Sequence, residues 1–173
     1  MAIIDEKYFI NDINIAYNDL TVDNLKDYIT KYEKKLLEQL LGYSLAKLVM
    51  GYDPDTSEQR IIDIVEGDEF IVNVLGNDVT LKWEGLKSTA DNIVANFCWY
   101  WWQRGNLSVS SGIGNVTPTS ENAKPGDLSM KAMHAYNNAV EQSQILYLYL
   151  NVNKELYPEW IFEPLEPINS FDL

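Results

Sequence analysis

The side chains that most often carry out chemistry are scarce in this chain. Its 173 residues include one histidine, His134, and one cysteine, Cys98. A zinc site of the His/Cys type would need both of them together with carboxylates, and no metal-ligand spacing recurs along the chain. A Ser-His-acid or Cys-His mechanism would depend on the same single histidine, and the Gly-x-Ser-x-Gly pattern of a nucleophile elbow is absent. The sequence therefore predicts no enzyme activity, no metal and no cofactor.

Two further motifs resemble binding loops without meeting their requirements. An EF-hand loop starting at Asp53 would need glycine at its sixth position and glutamate at its twelfth, where the chain has Glu58 and Ile64. The run Gly112-Ile113-Gly114 lacks the preceding strand, the following helix and the lysine of a phosphate-binding loop. We interpret the first motif as the start of a helix and the second as part of a flexible loop.

Charge excludes whole classes of partner. The 26 acids against 13 bases give a net charge of −13, so the chain lacks the broad positive surface that tight binding to nucleic acid or an anionic membrane requires. The acids are concentrated in residues 53–69, with seven acids and one base, and in residues 155–173, with five acids and no base. Such segments are typical of solvated faces, of surfaces that repel an anion, or of arms directed at a basic partner.

Length and the terminal sequence indicate the class of protein and its compartment. The chain is long enough for a single domain with its own hydrophobic core. Its N-terminus lacks the basic region and apolar core of a signal peptide, and no window approaches the ~20 apolar residues of a membrane span. We therefore expect a protein that is made and kept in a cytoplasm and is not secreted.

The spacing of apolar residues predicts a mainly α fold. Helices are expected at 22–41, 44–50, 57–66, 89–104 and 129–151. Gly42 is expected in the left-handed position that ends the first helix, and Ser88 with Asp91 resembles a capping box for the helix at 89–104. Two β-branched runs around Gly76-Asn77-Asp78 predict a hairpin at about 70–83. Because an isolated hairpin is only marginally stable, this one must lie on the helices or pair with a neighbouring chain.

Two segments are predicted to be extended. Residues 105–127 form a long Gly/Ser-rich loop, and residues 156–173, which contain three prolines, form an acidic C-terminal arm. The predicted architecture is a helical bundle with a small hairpin over residues 1–155, followed by that arm. The predicted core residues are Leu36, Leu40, Trp83, Phe97, Trp101, Tyr136 and Val140.

The helix at 89–104 contains the run Phe97-Cys98-Trp99-Tyr100-Trp101-Trp102, which is apolar on every side. We place Phe97 and Trp101 on its inward stripe. The remaining aromatic side chains need cover, either from the rest of the domain or from a second subunit, since aromatic residues are enriched at subunit contacts. The residues predicted to contact another copy or a partner are Trp99, Tyr100, Trp102, Gly112, Gly114, Tyr157 and Trp160.

The order of several short motifs resembles a known class of proteins. The motifs are Leu40-Leu41-Gly42-Tyr43, Lys82-Trp83-Glu84-Gly85-Leu86, Tyr100-Trp101-Trp102-Gln103-Arg104, Ser120-Glu121-Asn122 and Ala135-Tyr136-Asn137-Asn138-Ala139-Val140. Over residues 21–160 the chain resembles small proteins from the structural gene clusters of tailed bacteriophages and prophages, especially those of Bacteroidetes hosts. These in turn are similar to the helical head–tail connector, or head-completion adaptor, proteins.

This resemblance implies a structural protein that assembles as a ring beneath the portal and bridges the filled head to the tail. Its implied partners are copies of itself, the portal and tail-completion proteins, and it would reside in the virion after assembly. An acidic lumen would let DNA pass without tight binding. The tail that contains Trp160 would dock on the portal or on the next subunit. The alternative interpretation is an acidic protein-binding module, such as an inhibitor that mimics DNA or another phage accessory protein.

Overall fold

The fold was obtained as a computed structural model, which describes residues 2–15, 19–106, 109–111, 114–116 and 126–168. Within these ranges the α-helices are α1 (Asp19–Met50), α2 (Gln59–Glu66), α3 (Ile93–Asn106) and α4 (Gly126–Val152). Strands β1 (Asp68–Val74) and β2 (Asn77–Trp83) form one antiparallel hairpin, and β3 (Val109–Ser111) and β4 (Gly114–Val116) form another. The predicted fold class, mainly α with a small β-hairpin, is confirmed.

Helix α1 contains a break at Gly42, where the backbone has φ 73° and ψ 160°. A positive φ strains any residue with a Cβ atom, which explains why glycine stands here. The sequence predicts two helices on either side of this residue, and the structure has two helical segments that continue into each other at the break.

Helix α3 begins at Ile93, four residues later than predicted, because its cap differs from the expected one. Asn92 accepts a hydrogen bond from the Ala95 N–H at 2.8 Å through its side-chain oxygen, which is the usual role of an N-cap residue. Its side-chain amide donates to the carbonyls of Leu86 and Ser88, both at 2.7 Å. The predicted capping box of Ser88 and Asp91 is therefore wrong.

The core lies where α3 packs against both α1 and α4. Of the residues predicted to form it, Leu36, Leu40, Trp83, Phe97 and Val140 are buried, whereas Trp101 and Tyr136 are only partly buried at its edge. The N-terminal segment adds Phe9 and four isoleucines, namely Ile3, Ile4, Ile13 and Ile15.

The N-terminal segment is held to α1 by a buried carboxylate. Glu33 accepts the backbone N–H of Ile3 at 3.0 Å and that of Ile4 at 3.2 Å. Desolvation by burial raises the pKa of Glu33 above its ordinary value, although these two N–H donors act in the opposite direction.

Candidate interaction surfaces

The β1–β2 hairpin has a rigid base. Trp83 is buried and donates its indole N–H to the Ile64 carbonyl at 2.8 Å, while the Phe70 ring packs edge-on against Tyr149 with centroids 5.5 Å apart. Gly67 approaches the β2 end so closely that a Cβ atom would lie 2.5 Å from the Trp83 carbonyl oxygen. These contacts fix the direction in which the hairpin leaves the helices.

The outer part of the hairpin is apolar and exposed. The antiparallel register of β1 and β2 pairs Phe70 with Leu81 and Val72 with Val79. These four side chains lie on one side of the sheet, the side that is buried at the base of the hairpin and extends outward from it. Exposure rises along this face from 4% at Phe70 to 40% at Val79 and 49% at Val74. We define the hairpin overhang as four exposed apolar residues of the hairpin: Val74 and Val79 on this side of the sheet, Ile71 on the opposite side and Leu75 in the turn.

Leu75 stands at the tip of the overhang in a strained conformation. It is 97% exposed and has φ 52°, next to Gly76 with φ 86°. Two successive positive φ values are typical of a type I′ turn, which favours asparagine followed by glycine. A leucine at the first of these positions costs about 1–2 kcal/mol. Strained residues that persist in a fold cluster at sites of function, which makes Leu75 a candidate contact residue.

The start of the C-terminal arm is bound to the rest of the chain by hydrogen bonds and ion pairs. Tyr157, predicted to be at an interface, is instead buried in the core of its own chain, which corrects that prediction. Its hydroxyl donates to the Arg60 carbonyl at 2.9 Å and lies 3.1 Å from the Tyr149 hydroxyl. Burial raises the pKa of Tyr157 to about 12. The Arg60 side chain forms ion pairs with Glu58 and Glu159, which joins the arm to α2.

The arm then crosses the break in α1 and binds backbone groups there. The N–H of Glu163 donates to the Gln39 carbonyl at 3.0 Å, and the Trp160 indole N–H donates to the Leu40 carbonyl, also at 3.0 Å. Trp160 is partly buried and packs with Tyr147 and Phe162, at centroid distances of 5.7 and 5.9 Å. Trp160, the expected anchor for a partner, is therefore engaged with its own chain.

The aromatic helix α3 is covered mainly by its own chain. Trp99 and Tyr100 are 2% and 3% exposed. Their prediction as interface residues is corrected, because α1 and α4 pack on both sides of α3 and leave these side chains no outward face. Trp102 is partly buried and donates its indole N–H to the Asn24 side-chain oxygen at 2.8 Å.

Trp101 joins a stack of three partly buried rings between α1 and α3. Tyr32 lies parallel to Trp101, with centroids 5.0 Å apart and an interplanar angle of 5°. Tyr28 stacks on Tyr32 at 5.6 Å and 17°. We call Tyr28, Tyr32 and Trp101 the aromatic ladder.

Three cations accompany the ladder. The ammonium nitrogens of Lys31 and Lys35 lie 5.0 Å and 4.9 Å from the centroids of Tyr32 and Trp101, respectively. The Arg104 guanidinium lies 5.8 Å from the Trp101 centroid and donates to the Tyr100 hydroxyl at 2.7 Å. The contribution of α1 to this cluster was not predicted from the sequence. The signal was present, because a pair of tyrosines and a pair of lysines each recur four residues apart and so share a helix face.

Exposed acids occupy another part of the surface. Within residues 53–69, Glu58 pairs with Arg60 and Glu66 with Lys87. Four other carboxylates in this segment are exposed and form no ion pair with any described residue; they are Asp53, Asp55, Asp68 and Glu69. We call these four residues the acidic face.

The remaining candidate residues lie apart from one another. His134 is exposed on α4, and Cys98 is buried in α3, where desolvation raises the pKa of its thiol well above the ordinary value. No group of three or more His, Cys, Asp or Glu side chains in the described residues is placed to hold a metal ion. Gly114 begins β4, and Gly112 lies outside the described residues.

Comparison with known proteins adds no functional assignment. The chain matches no protein-family model, no curated protein and no solved structure. In the described part of the chain, no helix combines the length and apolar character needed to cross a membrane. The surfaces that stand out are thus the hairpin overhang, the aromatic ladder with its cations, and the acidic face.

Proposed function

We propose that the protein is a non-enzymatic structural adaptor of the head–tail junction of a tailed phage or prophage, and that it assembles as a ring on the portal. The observation that carries this proposal is the hairpin overhang. Apolar side chains project beyond the helical body, and each strand of this two-stranded sheet has an edge that pairs with no other described strand. Exposed apolar residues beside open strand edges are typical of a surface that another protein covers.

The base of the hairpin supports this role, because a binding element held in one orientation loses little entropy on association. Trp83 and Phe70 anchor the two strands to α2 and α4, so the overhang extends a rigid support. Leu75 remains at the tip despite the strain of its positive φ. A contact made by the leucine side chain would offset that cost.

The acidic arm supports the second part of the proposal, the passage of DNA. Glu163 and Glu166 are exposed on the described part of the arm, and Glu155 is exposed immediately before it; none of the three has an ion-pair partner among the described residues. Carboxylates along a channel repel phosphate and oppose binding of DNA to the wall. In the proposed ring the arm faces this channel.

The test is binding to a purified phage portal protein from the genome that encodes this chain, measured by co-sedimentation. The decisive variant is Leu75→Asn, which creates the Asn-Gly pair favoured in this turn and removes the apolar tip. We expect the native chain to sediment with the portal and this variant to bind at least about ten-fold more weakly while folding more stably. The control is Leu48→Gln, which removes an exposed leucine from α1 and should leave binding unchanged. A native chain that ignores the portal, or full binding by Leu75→Asn, would contradict the proposal.

A further inference from the structure

We infer that the aromatic ladder and its three cations form one half of a head-to-tail contact between copies of this chain, and that the acidic face of the next copy forms the other half. The inference rests on the proposed ring and names the surfaces that join its subunits. The occupant of the ladder surface is thus a second copy, recognised through opposite charge.

The cationic half consists of exposed bases that lie on aromatic rings and are not neutralised. Lys31, Lys35 and Arg104 form no ion pair within the described residues, although acids outnumber bases two to one. Three further exposed bases, Lys47, Lys131 and Lys154, are likewise without an ion pair, but none of them lies over a described aromatic ring. The ring faces hold the ladder cations in place, so a partner need not order them.

The acidic half has carboxylates that are also fixed in position. The side chain of Asp53 accepts the Asp55 N–H at 2.9 Å, and that of Asp68 accepts the Glu69 N–H at 2.8 Å. Asp68 and Glu69 belong to β1, so the acidic face is continuous with the hairpin that leads to the overhang. A subunit contact at this face would place the overhang close to the same junction.

The described residues form no ion pair between the two halves within one copy. Lys31 and Lys35 lie in α1 before the break at Gly42, and Arg104 lies near the end of α3. The acids lie elsewhere along the chain, since Asp53 and Asp55 follow the end of α1 and Asp68 and Glu69 begin β1. Two different surfaces that attract each other give a heterologous contact, which repeats head to tail and closes into a ring when the rotation allows.

Charge reversal on the chain alone, without the portal, tests this contact. One variant reverses the ladder cations as Lys31→Glu, Lys35→Glu and Arg104→Glu, and a second reverses three acids as Asp55→Lys, Asp68→Lys and Glu69→Lys. We expect each to weaken self-association, measured by sedimentation velocity, at least about ten-fold. A third variant carries all six changes, which exchanges the signs of the two faces, and should restore self-association. The control variant reverses three exposed bases outside the ladder, as Lys47→Glu, Lys131→Glu and Lys154→Glu. Its net charge changes by the same amount as that of the ladder variant, but it should associate like the native chain.

The outcomes separate this inference from the proposed function. The contact would be overturned if the native chain stays monomeric at tens of micromolar. It would also be overturned if the variant with all six changes associates no better than either variant with three changes. Portal binding with charge-insensitive self-association would overturn the contact alone. Charge-dependent self-association by a chain that ignores the portal would overturn the phage assignment alone.

Discussion

Ile161 lies directly against Gly42, at the point where α1 breaks. A Cβ atom added to Gly42 would lie 3.1 Å from the Ile161 Cβ, closer than ordinary packing allows. The backbone N–H of Ile161 also donates to the Leu41 carbonyl, at 3.4 Å. One residue thus both bends the helix and leaves room for the arm that crosses it.

Gly42→Ala should destabilise the fold through two effects, the strain of a positive φ and the contact with Ile161. We expect a loss of about 2–3 kcal/mol in the free energy of unfolding, measured by urea denaturation. Gly76→Ala is the matched control, since Gly76 has φ 86° and nothing within 4 Å of an added Cβ. It should lose only about 1–2 kcal/mol. Equal losses would show that the arm does not constrain Gly42.

Leu75→Asn should stabilise the isolated protein, because asparagine tolerates the left-handed conformation that strains leucine. We expect a gain of about 1 kcal/mol in the free energy of unfolding by urea denaturation. The same change at Leu156, which is exposed and lies outside the hairpin, should give no gain. A destabilised Leu75→Asn variant would mean that the leucine contributes to the fold itself.

Trp99→Ala should cost about 3–5 kcal/mol in the free energy of unfolding, the usual loss for a fully buried aromatic side chain. Trp102→Ala should cost less, since Trp102 is only partly buried and its indole N–H bonds an exposed asparagine. Urea denaturation of both variants gives the comparison. A Trp102→Ala loss as large as that of Trp99→Ala would contradict the difference in burial.

Glu33 should make the fold less stable as pH rises. Its folded-state pKa is raised above the ordinary value of 4.5, so the folded state binds its proton more tightly than the unfolded chain does. The stabilisation from this group is fully present below pH 4.5 and is lost as pH rises through the folded-state pKa. We expect Glu33→Gln to flatten the dependence of unfolding free energy on pH above 4.5. Parallel pH profiles for the native and Glu33→Gln chains would rule out this role.

The sequence predicts those features that depend on local chemistry. Apolar spacing and Gly42 locate the two segments of α1, and the β-branched runs locate the hairpin. The turn itself lies at Leu75-Gly76, one residue earlier than the predicted Gly76-Asn77-Asp78, because the register pairs Val74 with Asn77. The short β3–β4 hairpin lies within the segment predicted to be a loop.

Contacts between segments that are distant in the chain leave little signal in the sequence. The run at 97–102 is apolar all round, so its periodicity cannot say which faces α1 and α4 cover, and the burial of Trp99 and Tyr100 was not foreseen. The arm docks through backbone carbonyls of α1, which every sequence possesses and which leave no signature. The aromatic ladder combines residues of two helices and becomes visible only once their packing is known.

Electron-microscopic class averages of portal particles with and without the native chain test the central claim most directly. The proposed adaptor function predicts an added ring of density at one end of the portal, centred on its channel. Portal particles that look the same in the presence of excess chain would contradict it.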